Sequence, residues 1–153
     1  MRKRTLRDRA FQAWWRLSRP MTLGVRGVVV DGEGRVLLLR HTYTPGWHFP
    51  GGGVEKGETA SQAILRELVE EAGIETEAGS LKLASVHANA AFFPNDHVLV
   101  YRIESWRQGT PTQRGEIAET GFFLPSALPQ DTTPATRRRL DELFGGQAVS
   151  PNW

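Results

Sequence analysis

The stretch GGGVEKGETASQAILRELVEEAGI, residues 51 to 74, runs a glycine-rich loop into a helix that carries its acids in one place. Thr59-Ala60-Ser61-Gln62 fits a capping box, in which the Thr59 hydroxyl accepts from the Gln62 N–H and the Gln62 side chain reaches back. The pattern therefore predicts a helix from residue 60 to residue 72, with Gly73 placed to take the left-handed conformation that ends it. Ile64, Leu65, Leu68 and Ala72 form its apolar stripe, while Glu67, Glu70 and Glu71 gather on another face.

Acids three and four positions apart repel one another by a few tenths of a kcal/mol per pair on a helix. A solvated face would mix in lysine, yet this turn offers only Arg66. A hard divalent cation relieves the repulsion, because Mg²⁺ takes one or a few carboxylate oxygens and keeps places for water and phosphate. Gly51, Gly52 and Gly53 lack a Cβ, so their backbone can approach an ion or a phosphate closely.

Outward from this segment, LGVRGVVV and GRVLLLRH are aliphatic runs separated by Asp31-Gly32-Glu33-Gly34, which predicts a hairpin. Tyr43 to Gly53 reads as loop. SLKLASVHANAAFF and HVLVYRIESW predict a second strand pair joined through Pro94-Asn95-Asp96, and Glu116 to Leu124 returns as a strand. Thr133 before Pro134 predicts the cap of a last helix, stopped by Gly145, whose Leu140, Leu143 and Phe144 face the core. Its arginine run, Arg137 to Arg139, reads as a solvated face paired with Asp141 and Glu142. Paired strands with separate helices point to an α/β (α+β) chain, a mixed sheet covered by helices.

A chain of 153 residues fits one domain, and 39% hydrophobic with 24% charged residues is ordinary for a folded protein. The absence of cysteine excludes disulfides, thiolate metal sites and a cysteine nucleophile. No apolar run approaches the roughly 20 residues of a membrane span, and the basic N-terminus lacks a signal's apolar core, so a cytoplasmic location is expected. Residues 1–19 hold seven basic side chains and one acid, leaving 12 basic and 16 acidic side chains in residues 20–153. The body therefore lacks the basic surface of a nucleic-acid binder, and no stable nucleic-acid partner is expected. Leu6, Ala10, Trp14 and Leu17 make residues 1–19 a basic amphipathic helix, suited either to an anionic membrane surface or to packing on the domain or a partner subunit.

Gly52, five residues, Glu58, seven residues and then Arg66-Glu67-Leu68-Val69-Glu70-Glu71-Ala72-Gly73-Ile74 resembles the full Nudix hydrolase signature, with no fixed position missing. The resemblance implies a Nudix-type α/β/α sandwich over residues 20–153, with the N-terminal helix as an addition. It also implies a nucleotide pyrophosphohydrolase: water attacks phosphorus in a nucleoside diphosphate linked to another group, with Mg²⁺ or Mn²⁺ as cofactor. Carried over by position, Glu67, Glu70 and Glu71 would hold metal beside the Gly52 carbonyl. Arg66 would orient a glutamate and Glu58 would support loop and helix. A further acid outside the motif often serves the family as ligand or base, and Glu116 is the candidate here, with Glu119 as substitute.

Tyr43, Trp47, His87, Asn89, Phe92 and Phe93 could bind the base or sugar, since aromatic rings stack on bases. Trp47 could equally pin its loop, and His87 with Asn89 could form a structural hydrogen-bonded pair. Ala90 stands where ADP-ribose hydrolases of the family place proline, and Phe92 where diadenosine polyphosphate hydrolases place tyrosine. The cysteine-dependent isomerase branch is excluded by composition. A non-catalytic nucleotide-binding module on the same fold is the alternative, and a homodimer is left open. A glycosidase fits badly, because its two acids flank a bond from opposite sides whereas these share one helix face.

Overall fold

The computed structural model describes residues 14, 17, 18, 20–113 and 115–153. The expected N-terminal helix lies outside the described residues apart from Trp14, Leu17 and Ser18, which are helical. Strand β1 (Thr22–Val29) runs parallel to β5 (Asp96–Ile103), and β4 (Leu81–Ala88) lies antiparallel on the other side of β5. A second sheet pairs β2 (Val36–His41) with β7 (Ile117–Phe123), and two short strands, β3 (Ile74–Glu75) and β6 (Arg107–Gln108), pair beside the first helix.

Successive residues of a strand face opposite sides, and β1 shows both sides filled. Val25 and Val29 join Ile64 and Leu68 of the motif helix, whereas Val28 joins Val100 and Leu140 of the last helix. Helices thus cover the mixed strand layer on both faces, which is the α/β/α sandwich expected from the resemblance. The motif helix α1 (Ala60–Glu67) begins with the capping box: Gln62 N–H donates to Thr59 Oγ1 at 3.2 Å and Thr59 N–H to Gln62 Oε1 at 2.8 Å. Its continuation Leu68–Ala72 is a π turn, closed by Gly73 in the left-handed region at φ 66°. Ala63, fully buried, takes a place in the apolar stripe that Leu65, half-buried, shares only in part.

The hairpin expected of the first two strands is corrected. The tight turn forms, with Asp31 Oδ1 accepting from the N–H groups of Glu33 and Arg35, both at 2.9 Å, but only Val30 and Val36 bridge across it. Backbone of the glycine loop takes the free edge of β1: Val25 N–H donates to Gly52 O, and Gly27 N–H to Pro50 O, both at 2.9 Å. His48 occupies the facing edge of β2 opposite Leu39. The loop is wedged between the two strands, and this fixes its glycines beside α1.

Helix α2 (Pro134–Phe144) has its Thr133 cap as expected, and Leu140 is 1% exposed. Its arginine run is not a solvated face, and of the expected partners only Glu142 is paired among the described residues. Arg137 donates to the carbonyls of Pro129, Gln130 and Thr132, Arg138 donates to Trp153 O, and Arg139 is buried against Glu142 at 2.6 Å. Carbonyls of the flanking loop and of residue 153 supply acceptors that sequence spacing does not show.

Candidate active site

The π turn decides how the acids leave the helix. By widening the turn at Leu68–Ala72 it sends Glu71 inward, where the side chain is 5% exposed and Oε2 accepts from Gly51 N–H at 2.8 Å. Glu67 lies against Gly52 so closely that a Cβ on that glycine would overlap its carboxylate. Glu70, the most exposed of the three, stays at the rim.

Arg66 offsets much of the repulsion between these acids. Its Nη1 reaches Glu67 Oε1 at 2.7 Å and Glu70 Oε2 at 3.3 Å. Nε and Nη2 grip the two oxygens of Glu58, and Nη2 also donates to Gly53 O at 3.1 Å. Glu71 faces His41 instead, whose Nε2 lies 3.9 Å from its Oε1. Burial pushes its pKa up to about 7, with the charges of Glu67 and Glu116 adding to the rise and the Gly51 N–H and Arg26 opposing it.

Glu67, Glu70, Glu71 and Glu116 line one cavity of about 510 Å³ together with Gly52 and Arg26. Glu116 is brought there from the start of β7, where its carbonyl accepts from Thr42 N–H at 2.8 Å at the end of β2. Glu119, the substitute, stands outside this cavity and pairs with Arg40 at 3.7 Å. Sequence reasoning missed Arg26, whose signal was a lone charge inside the aliphatic run VRGVVV. Among the described residues it donates only to Val25 O; burial lowers its pKa while Glu71 and Glu67 raise it.

The donors fit a hard divalent cation by their chemistry, since every one is a carboxylate or carbonyl oxygen and Glu71 is driven toward its neutral form by burial first and by like charges second. Among the described residues no three acidic or histidine side chains are arranged to hold an ion, and Arg66 occupies oxygens of Glu67 and Glu70. Gly52 O accepts from Val25 N–H and keeps a second lone pair.

The expected substrate residues divide. Tyr43, 68% exposed, lines the acidic cavity. Asn89 and Phe92 line an adjoining cavity of about 600 Å³ that shares Arg26 and His48 with the first. Trp47 and His87 face neither: Trp47 packs edge-on against Phe123 in the core, and His87 is fully buried, bonded to Ser85 Oγ at 2.7 Å. An aromatic or imidazole ring in a glycine-rich loop or on a strand reads alike whether it meets a ligand or the core. Phe93 is exposed and lines neither cavity.

The family model of the NUDIX domain matches residues 20–144, most of the chain. The chain belongs to the NUDIX hydrolase family. A MutT NUDIX hydrolase from Burkholderia pseudomallei is 31% identical in sequence and superposes with a TM-score of 0.68, over 80% of this chain and 98% of that one. The E. coli ORF135 protein is 26% identical, with a TM-score of 0.66 over 88% and 96% of the two chains. A Bacillus subtilis (strain 168) protein provisionally named 8-oxo-dGTP diphosphatase is 29% identical over 82% of this chain and 81% of its own length. A shorter match, 44% identical over 48 residues, relates 31% of this chain to 29% of an RNA pyrophosphohydrolase of Hydrogenovibrio crunogenus.

In this NUDIX domain the motif's fixed positions divide into a mechanical set and a set facing the cavity. Glu58 and Gly73 hold loop and helix together, Gly52, Glu67, Glu70 and Glu71 face the cavity, and Arg66 belongs to both sets. Among the described residues no helix is long and apolar enough to cross a membrane.

Proposed function

We propose that this NUDIX hydrolase cleaves a pyrophosphate bond in a nucleoside diphosphate linked to another group, with Mg²⁺ or Mn²⁺ as cofactor. The observation that carries the reading is the group of glutamates, Glu67, Glu70, Glu71 and Glu116 with Glu55 beside them, lining a cavity that Arg26 also lines. The 8-oxo-dGTP diphosphatase and RNA pyrophosphohydrolase names of the relatives both describe cleavage of a phosphate anhydride.

Glu67, Glu70 and Glu71, with the Gly52 carbonyl, would hold the cation. Bound there, it supplies Lewis-acid polarisation of a phosphoryl oxygen and charge to offset the leaving phosphate. Arg66 keeps Glu67 and Glu70 in place, and Arg26 offers phosphate oxygens the N–H donors that it does not spend on Val25 O among the described residues. Glu116, brought in from a different element than the other three, serves as a further ligand or takes the proton of the attacking water. Tyr43, Asn89 and Phe92 contact the organic part of the substrate.

The test is a panel of nucleoside triphosphates, dinucleotides, nucleotide sugars and an RNA oligonucleotide with a 5′-triphosphate. Each is incubated with Mg²⁺ and read by phosphate release with and without alkaline phosphatase. Turnover strongly reduced by Glu70→Gln is the expected result. Turnover unchanged in that variant would overturn the assignment, and tight nucleotide binding without hydrolysis would replace it with a non-catalytic binding module.

A further inference from the structure

We propose that Trp153, held in place through residues 150–152, lines the cavity next to the acids and stacks there on the base of a nucleotide substrate, and that Arg139 is the residue that positions it. The nucleotide as occupant rests on the function proposed above. Trp153 lies beyond residues 20–144, the part matched by the family model.

A fully buried arginine in the middle of a helix is costly unless its donors are used. Arg139 uses its two Nη groups on Glu142, His87 and the tail, while its Nε has no hydrogen-bond partner among the described residues. Nη2 donates to Glu142 Oε1 at 2.6 Å, and the same oxygen accepts from Ser150 N–H at 2.9 Å. Nη1 donates to Asn152 O at 3.0 Å, and the guanidinium carbon stands 5.4 Å from the centre of the Trp153 ring. His87 closes the cluster from β4: its Nδ1 lies 2.7 Å from Ser150 O and 3.1 Å from Arg139 Nη1, and its Nε2 lies 2.7 Å from Ser85 Oγ.

Backbone pairing completes the clasp. Ala88 N–H donates to Pro151 O at 2.8 Å and Trp153 N–H to Ala88 O at 2.9 Å, while Arg138 Nη2 holds Trp153 O at 2.8 Å. The half-buried indole is thereby fixed beside Phe49 and Phe92 in the cavity of about 600 Å³. Phe92 presents a ring that is 80% exposed. Because Arg26 and His48 line this cavity and the acidic one alike, a molecule with phosphates at one end and a flat ring at the other matches both compartments at once. Aromatic side chains stack on any base through its π face.

The experiment measures steady-state kinetics with Mg²⁺ on the four common deoxynucleoside triphosphates and on inorganic tripolyphosphate, which has no ring. Trp153→Ala is expected to raise KM for each nucleotide about tenfold more than for tripolyphosphate, and Trp153→Phe to recover most of that loss. Arg139→Lys is expected to shift KM in the same direction. Should that variant fail to fold, the two Trp153 variants still decide, since their side chain lies at the cavity wall. Equal effects of Trp153→Ala on ringed and ring-free probes would overturn the proposal. So would a loss of self-association in that variant with unchanged KM, which would give the cavity to a second copy of the chain. If wild-type protein hydrolyses no nucleotide, a calorimetric titration with dGTP separates the two readings. Binding weakened by Trp153→Ala supports the subsite while sinking the hydrolysis, and binding that is absent or independent of Trp153 overturns the subsite.

Discussion

Arg66 meets Glu58 as a fork, Nε 2.9 Å from Oε1 and Nη2 3.1 Å from Oε2, while its remaining nitrogen holds Glu67 and Glu70. Glu58 in turn accepts from Glu55 N–H at 2.9 Å, so one guanidinium couples the loop to the acids. Lysine offers a point charge in place of the planar fork and cannot serve both groups. Arg66→Lys is therefore expected to lower kcat by about 10–100-fold, the usual effect of losing a group that orients ligands. Kinetics beside circular dichroism checks this, and a variant with native kcat would show that the fork is only structural.

Gly51 and Gly52 are adjacent but predict different failures. At Gly51, φ is 148° and an added Cβ would run into the Val25 backbone, which cannot move without breaking β1. Gly51→Ala is expected to destabilise the fold by about 1–3 kcal/mol or more, seen in urea unfolding. At Gly52 the Cβ would meet only the far end of Glu67. Gly52→Ala should leave stability nearly native while displacing that carboxylate and lowering activity.

The difference between these neighbours marks how far the sequence carries. Thr59, Gln62 and Gly73 specify the motif helix through local hydrogen bonds, and the pairing of β4 with β5 and the Thr133 cap follow from equally local signals. Where the outcome depends on chains distant in sequence, the reading fails. Strands β1 and β2 are buried on both faces, so periodicity could not say that loop backbone, and not each other, fills their edges. A π turn leaves no mark in composition. Arg139 looks like any member of an arginine run until Ser150, Asn152 and Trp153 fold back onto it.

Glu116 and Glu119 can be told apart by their surroundings. Glu116 lines the acidic cavity and is close enough to raise the pKa of Glu71, whereas Glu119 is more than half exposed and faces Arg40. If Glu116 takes the proton from water, Glu116→Gln should lower kcat by about 10²-fold or more. Glu119→Gln should change it by about twofold at most, as exposed pairs contribute little. A reversed order in the same assay would move the role to Glu119.

His87 makes the fold sensitive to acid. Burial holds its pKa below the ordinary histidine value, the Arg139 charge lowers it further, and Ser150 O and Glu142 oppose the shift only in part. In the unfolded chain the imidazole titrates near about 6.5. Below that pH the unfolded state binds a proton that the folded state resists, so stability is fully present above about 6.5 and falls as pH drops toward the folded value. Protonation would also set a second positive charge beside Arg139 in the clasp that holds residues 150–153. His87→Asn keeps a side-chain N–H and loses the titration. The expected result is a larger drop in Tm from pH 7.5 to pH 5.5 for wild-type protein than for His87→Asn. Parallel drops would show that the acid sensitivity arises elsewhere.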